Sequence, residues 1–359
     1  MPRPRLLFVY LSPSSFVEDD RALLAERYDV RAFHFDARAA KGARGMAAML
    51  ARQAAWLRRE LPGADAVYGW FADYHMALPV WAARRAGVPV AIALGGFEAN
   101  TLPALGYGVM LSRWRAPLAR YVLRNARVLL PVAEALIAHE NRFGAWPDVL
   151  RNGVRAHVPR LKTPHVVVPT GYDAGAWAMG PAERSPSVLA VGFVADARGH
   201  RLKGLDHLLA AAGRMPDVAF RAVGVAPAWA DALRARGEVP SNAELLPPRA
   251  RADLAAAYAE ASVFACLSRS EGQPNVLCEA MLCGCVPVGS AVGGIPEVIG
   301  DAGFVAGTPE PAVVDAALRA ALAAPPAHRS LARARIEQHF SRALRRARLF
   351  DALAALAPR

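Results

Sequence analysis

Residues 266–290, CLSRSEGQPNVLCEAMLCGCVPVGS, put a strand-like apolar run ahead of a polar loop, a proline and a helix-forming segment. Two carboxylates stand in this passage, Glu271 in the loop and Glu279 in the helix, with seven residues between them. A hydrophobic core asks for neither. The run VFACLS delivers the loop 269–273 to the carboxyl edge of a sheet, where open parallel sheets bind ligands. Pro274 suits a first helical turn, because its missing N–H would be unpaired there in any case. The N–H groups of Asn275, Val276 and Leu277 should then point free toward the loop. With the helix dipole behind them they form a phosphate-sized anion site. Gly272 permits close backbone approach, and Gln273 completes the loop ahead of the proline.

Leu277, Ala280, Met281 and Gly284 recur at helical spacing and should face the sheet. Glu279 falls off that stripe, on the side near Asn275. Anion binding explains a carboxylate there poorly; a bidentate acceptor for the two hydroxyls of a ribose explains it well. Glu271 cannot share that helical face and should reach toward the sugar end of a bound nucleotide. The plainer alternative is a solvated loop acid and a solvated helix acid, but the proline-led helix and nearby glycines favour function.

Outward from this passage the chain alternates strand-like and helix-like segments, the pattern of parallel sheets covered by helices. RLLFVYL, YDVRAFHF, ADAVYGWF, VPVAIAL and ARVLLPV read as strands, with helical patterns at 46–60 and 78–86. HVVVPT reads as a further strand ending at Gly171, and GPAERSPSV as a polar link. The pattern then restarts with SVLAVGFV, VAFRAVGV, ELLP, ASVFACLS and CVPVGS as strands, and helices at 205–213, 227–236, 250–261 and 274–284. After Pro309 the chain reads as helical to its Arg- and Ala-rich end. A length of 359 residues favours two domains. The expected class is α/β, with two doubly wound parallel-sheet domains joined near residues 170–185.

Composition narrows the class. Hydrophobic residues make up 54% of the chain, which suits packed cores and excludes global disorder. The four cysteines, Cys266, Cys278, Cys283 and Cys285, fall on apolar segments with no histidine close by, so buried thiols in a reducing cytoplasm outrank zinc. The N-terminal run 6–11 is too short for a signal peptide and ends in Glu18, Asp19 and Asp20, so it reads as a buried strand. No apolar run approaches the roughly 20 residues that span a bilayer. The formal net charge of +12 has two readings, solvated arginine-rich helix faces or attraction to anionic surfaces. Within residues 110–128, Arg113, Arg115, Arg120, Arg124 and Arg127 alternate with apolar residues, a pattern that suits a membrane surface as well as a solvated face.

The passage EGQPNVLCEAMLCGCVPVGSAVGGIPEVI closely resembles the acid-seven-acid signature of retaining glycosyltransferases of family 4. VVPTGYD, residues 167–173, resembles that family's interdomain segment, and KGLDHLLAAA, residues 203–212, its helix after the first donor-domain strand. The resemblance implies the GT-B fold, two facing Rossmann-like domains with C-terminal helices crossing back. Its domains would be 1–170, an acceptor-side N-terminal domain; 171–185, a linker; 186–325, a nucleotide-sugar donor domain; and 326–359, helices packing back toward the first domain. It further implies that Glu279 binds the ribose, that Glu271 lies by the donor sugar, and that Lys203 neutralises the diphosphate leaving group. The family's Gly-Arg at the end of the first donor strand is here Gly192 followed by Phe193, and either Arg198 or Arg201 would supply the missing charge. Where many relatives carry a histidine after the fourth N-domain strand, this chain has ALGGFEAN, placing Gly96 and Glu98 there.

On the acceptor side, Ser14 and Ser15 are expected to hydrogen-bond a sugar and Phe16 to stack on it; a helix start near Ser15 is the equal alternative. His75 is the weaker candidate, since a lone histidine among aromatics is commonly structural. No Asp-x-Asp pair occurs, so no metal is called for and no cofactor beyond the donor substrate itself. Lysine, arginine and the helix start carry the diphosphate instead. The expected function is retaining transfer of a sugar from a nucleotide diphosphate sugar to a sugar or lipid-linked hydroxyl acceptor, in cell-envelope polysaccharide or glycolipid synthesis. Two rivals are a nucleotide-sugar epimerase or hydrolase of the same fold and a basic polyanion-binding protein; no nucleic-acid module is present. The expected location is the cytoplasm, peripheral at the inner face of the membrane if residues 110–128 contact lipid.

Overall fold

Leu6, Leu7, Phe8 and Val9 are all fully buried, a pattern without alternation that a strand shows when helices cover both faces of its sheet. In the computed structural model, which describes residues 3–181 and 183–356, they form β1 (Arg5–Tyr10). Parallel pairing with β2 (Asp29–His34), β3 (Ala66–Trp70), β4 (Val90–Leu94) and β5 (Val128–Pro131) gives the order β2-β1-β3-β4-β5. Helices α1 (Ser15–Ala25), α2 (Gly42–Glu60), α3 (Tyr74–Arg85), α4 (Arg115–Asn125) and the short α5 (Val154–His157) accompany this sheet. HVVVPT is not a full strand. It makes one parallel bridge, Leu129 with His165; Val166 and Val168 donate to the Leu129 and Pro131 carbonyls, but Pro131 has no N–H to return the next bond of the ladder.

The chain divides into two units, one of Met1–Ala138, Asn152–Thr170 and Arg345–Arg359, the other of His139–Arg151 and Gly171–Leu344. The second holds a parallel sheet of β8 (Ser187–Val194), β9 (Ala219–Val225), β10 (Ala243–Leu246), β11 (Val263–Cys266), β12 (Val286–Ser290) and β13 (Phe304–Ala306), in the order β10-β9-β8-β11-β12-β13. Its helices are α6 (Ala197–Leu202), α7 (Leu205–Arg214), α8 (Pro227–Ala235), α9 (Arg251–Glu260), α10 (Asn275–Leu282), α11 (Ile295–Ile299), α12 (Pro311–Leu322) and α13 (Ala327–His339). β6 (His139–Ala145) and β7 (Asp148–Asn152) pair as a separate ribbon that sequence reasoning did not anticipate, because its residues are polar and lack clean alternation.

The boundaries thus differ from those expected at two places. Most of the β6–β7 ribbon belongs to the second unit, through Asn141, whose Nδ2 donates to the Arg269 carbonyl at 2.8 Å. The helices after 326 do not move as a block: α13 stays with the second unit, where Arg333 donates to the carbonyls of Trp177 and Leu282, each at 2.7 Å. The last helix, α14 (Arg342–Ala354), enters the first unit at Arg345. There Arg345 grips Asp20 at 2.6 and 2.7 Å and donates to the Val168 and Pro169 carbonyls. Tyr68 and Trp70 also donate to Asp20, at 2.5 and 2.8 Å. Asp20 and Arg345 are buried, so the pair stands out of water with four donors on the carboxylate and two carbonyls on the guanidinium.

Candidate functional site

β8 loses register between Val191 and Val194, and this irregularity turns Phe193 out to solvent and leaves Gly192 beside the Lys203 side chain. Lys203 closes α6, and Gly204, in the left-handed region at φ +70°, opens α7. A Cβ at Gly204 would lie 2.0 Å from the Leu267 carbonyl oxygen, so only glycine lets this turn press against the end of β11. The result is a short ion pair: Lys203 Nζ to Glu271 Oε1 is 2.7 Å. Both residues line a pocket at the carboxyl edge of the sheet, with Gly192, Gly204, Ser268 and Val276. The Glu271 loop is held from its other side by Gly293, at φ +53°, where a Cβ would lie 2.0 Å from the Glu271 carbonyl oxygen. Gly294 N–H donates to the Gly272 carbonyl at 2.8 Å.

α10 begins at Asn275 with Pro274 as its cap residue. The Leu277 N–H is not free as expected: it donates to the Pro274 carbonyl at 3.2 Å, and the Leu277 side chain is fully buried in the core. A proline that closes its own first turn leaves only Asn275 and Val276 to present their amides at the helix start. The Asn275 side chain accepts from the Tyr172 hydroxyl at 2.7 Å, and Gln273 Nε2 approaches the same hydroxyl at 3.4 Å. Tyr172 therefore fixes both polar residues that flank Pro274.

Glu279 points to a different neighbourhood. It is buried, with Oε1 3.3 Å from Arg251 Nη2 and Oε2 3.4 Å from the Tyr258 hydroxyl. Burial pushes its carboxyl up to about 7, against the opposing pull of Arg251 and Tyr258. Arg251 sits at the first position of α9, where a helix dipole disfavours a cation. Glu279 and the Trp177 ring, 4.9 Å beneath its guanidinium, hold it there. The structure thus brings Lys203, Glu271 and Gly192 into one pocket, and sets Glu279 outside that lining on the face α10 turns to α9.

Arg198 and Arg201 stand exposed on α6, the helix that Lys203 ends. The arginine that sequence reasoning passed over is Arg269. It is buried, forks onto Asp206 at 2.8 and 2.7 Å and donates to the Arg201 carbonyl, tying the Glu271 loop to the α6–α7 turn. The four cysteines are buried and unpaired, and burial pushes the thiols of Cys266, Cys278 and Cys285 up to about 12.

In the first unit, two of the expected acceptor residues are buried on partners of their own. Glu98 is buried and its carboxylate accepts from the Gly95 and Gly96 N–H groups at 3.0 and 3.2 Å, so it closes its own loop. Burial pushes it up to about 7. His75 is also buried, 3.0 Å from the Trp70 carbonyl, and burial lowers it to about 4. Gly96 is buried with Glu98. Ser14 caps α1 by position but makes no side-chain cap bond, and Ser15 is exposed at its first residue. Phe16 packs on Trp70 with ring centroids 4.6 Å apart and planes tilted by 53°, and meets Phe71 edge-on; the φ of +70° at Phe71 is unusual for a bulky residue. The basic segment 110–128 is also not one continuous stripe. Arg115 pairs with Asp73 and lies 5.2 Å over Phe97, while Arg120 donates to the His157 carbonyl at 3.1 Å. Only Arg113, Arg124 and Arg127 of that set are exposed.

Two parallel Rossmann-like units with these sheet orders define a GT-B fold, and solved structures share it over the whole chain. Sucrose-phosphate synthase from Thermosynechococcus elongatus aligns with a TM-score of 0.72 at 16% identity, covering 99% of each chain. The Anabaena protein HepE, solved with UDP and glucose, aligns with a TM-score of 0.68 at 16% identity, over 98% of this chain and all of that one. Residues 186–323 match the family described as glycosyl transferases group 1. Alpha-maltose-1-phosphate synthase of Mycolicibacterium smegmatis is 35% identical over 222 residues, 55% of this chain and 51% of that protein. A D-inositol 3-phosphate glycosyltransferase of Mycobacterium sp. is 32% identical over 176 residues, 47% of this chain and 37% of its own. The chain thus spans about half or less of these curated relatives.

Tyr172, Arg251, Tyr258 and Gly293 join Arg269 as the site residues sequence reasoning missed. Tyr172 and Gly293 lie inside the quoted signature segments and were within reach. Arg251 and Tyr258 were not, because RADLAAAYAE reads simply as a helix.

Proposed function

We propose that the protein is a retaining glycosyltransferase that moves a sugar from a nucleotide diphosphate sugar to a hydroxyl acceptor. The observation that carries this reading is the Lys203–Glu271 pair, poised in a sheet-edge pocket beside the start of α10. In the free protein the two charges neutralise one another. A bound diphosphate competes for Lys203, and Glu271 is then released toward the hydroxyls of the donor sugar. When the bond from C1 of that sugar to the β-phosphate oxygen breaks, the electron pair leaves with the phosphate. Lys203, fixed in place and partly shielded from water, stabilises the charge that develops there. Glu279 accepts from the ribose hydroxyls, with Tyr258 and Arg251 orienting it.

Retention follows most simply if the acceptor oxygen attacks C1 from the face the phosphate leaves, passing its proton to the departing phosphate oxygen. The match of residues 186–323 to the group 1 family supports this reading, as does the likeness to a D-inositol 3-phosphate glycosyltransferase. HepE, solved with UDP-glucose, supports a nucleotide sugar as the donor. A sugar or lipid-linked acceptor, used in envelope polysaccharide or glycolipid synthesis, completes the proposal by analogy.

The test is a transfer reaction run with and without acceptor and read by proton NMR at the anomeric centre. An acceptor-dependent product that keeps the donor's configuration is expected. Inversion, or turnover indifferent to acceptor, would refute the proposal.

A further inference from the structure

The amino edge of the first unit's sheet, opposite the edge that carries Phe16 and Phe71, gathers charge that nothing in the unit answers. α2, α3 and α4 all end there, and Arg127 leads directly into β5. Arg58, Arg84, Arg124 and Arg127 are exposed, and none has an ion-pair partner among the described residues. Arg84, Arg124 and Arg127 line a hollow of about 880 Å³. Val88 lines both this hollow and a neighbouring one of about 680 Å³, whose walls are Leu57, Leu61, Leu78, Trp81 and Ala82. Trp81 is 49% exposed, so a large apolar ring stands in water at the rim, with the Arg85 guanidinium 5.1 Å above it.

Helix dipoles explain an arginine in a last turn. They do not explain why the ends of α2 and α3 wall an apolar hollow with a half-exposed tryptophan, directly beside the arginine hollow at the ends of α3 and α4. Arginines beside an interfacial tryptophan are the combination an anionic lipid surface attracts: phosphates for the guanidiniums, the headgroup boundary for the indole. A nucleic acid would use the cations and leave the apolar hollow empty. We propose that this face docks the protein on a membrane surface rich in anionic phospholipid, with lipid phosphates in the arginine hollow and Trp81 at the interface. The contact differs from the 110–128 stripe expected from sequence, because it takes only Arg124 and Arg127 from that segment and adds the ends of α2 and α3.

The experiment is vesicle flotation of the full chain, using phosphatidylcholine alone and phosphatidylcholine mixed with phosphatidylglycerol. Binding to the mixed vesicles only, weakening with salt, is expected. The variant R84Q/R124Q/R127Q should lower the partition coefficient about a hundredfold. Trp81→Ala should lower it while leaving the salt dependence intact. Arg113→Gln, at the other end of α4, should behave as wild type. Thermal melting and nucleotide titration of each variant confirm that it folds. Equal binding to neutral vesicles, wild-type partition by the triple variant, an equal loss in Arg113→Gln, or capture by polyphosphate but not by vesicles would each overturn the proposal.

Discussion

Lys203 Nζ and Glu271 Oε1 lie 2.7 Å apart although 68 residues separate them in the chain. The lysine ends one helix and the acid sits in the loop before another, so the contact exists only when both sheet-edge turns are correctly formed. A cation with a ready-made counter-ion is preorganised for a diphosphate without being an unpaired charge in the empty site.

Lys203→Ala is therefore expected to lower kcat/KM by roughly 10²–10³, the scale of removing one donor to a developing oxyanion. Calorimetry should show weakened binding of a nucleoside diphosphate and unchanged binding of the nucleoside. Glu271→Gln should cut kcat more than it raises KM, which steady-state kinetics would resolve.

The affinity for an intact nucleotide sugar, whose own charge is constant near neutrality, should depend on pH through Glu279. Its carboxyl is pushed up to about 7 by burial, so the accepting, ionised form is lost as pH falls below that value. Affinity should rise up to about pH 7 and then level, falling by up to roughly tenfold per pH unit below it. Glu279→Gln should bind more weakly with a flat profile. Arg251→Gln should move the inflection to higher pH, because Arg251 is the charge that opposes the shift. Titration calorimetry across pH 5.5–8.5 (roughly the range in which such a group changes charge) measures all three.

Arg345→Ala leaves Asp20 buried and charged, with only Tyr68 and Trp70 to answer it. Breaking such a pair should cost about 3–5 kcal/mol, seen as a lower urea midpoint. Asp20→Asn combined with Arg345→Met should recover part of that loss.

His75 should make the first unit acid-sensitive. Burial depresses its pKa from 6.5 to about 4, so its neutral form belongs to the folded state. Its contribution is fully present above pH 6.5 and is lost as pH falls through about 4, by up to roughly 3 kcal/mol. Glu98 runs the other way: raised to about 7, its contribution is present below about 4.5 and lost as pH rises through 7. The His75 effect is accordingly measured as the difference between wild type and His75→Gln in urea unfolding at pH 7 and pH 4.5.

The parallel-sheet architecture was legible because continuous apolar runs such as RLLFVY and VFAC are what fully covered strands require, and both are strands here. HVVVPT misled for a related reason: its apolar residues suit a strand, while Pro131 on the neighbouring strand lacks the donor that would extend the ladder. The ribbon 139–152 carries no hydrophobic period, and no reading of residue pattern alone would find it. In the site, local spacing placed Glu271 and Glu279 apart, and the structure gives them different partners. What spacing does not encode is contact between helices, such as Arg251 with Glu279 or Arg345 with Asp20, which lie 28 and 325 residues apart. Glu98 and His75 are buried on partners of their own, and in sequence a polar residue near a strand end reads the same whether it faces a ligand or bonds to its own surroundings.

The most direct measurement is a calorimetric titration of the full chain with UDP, ADP and GDP, repeated on Glu279→Ala and Lys203→Ala. At least one nucleotide should bind the wild type, and both substitutions should weaken that same nucleotide tenfold or more (about 1.4 kcal/mol or more). Binding of none of the three, or an affinity that neither substitution changes, would contradict the assignment of this pocket to a nucleotide diphosphate sugar.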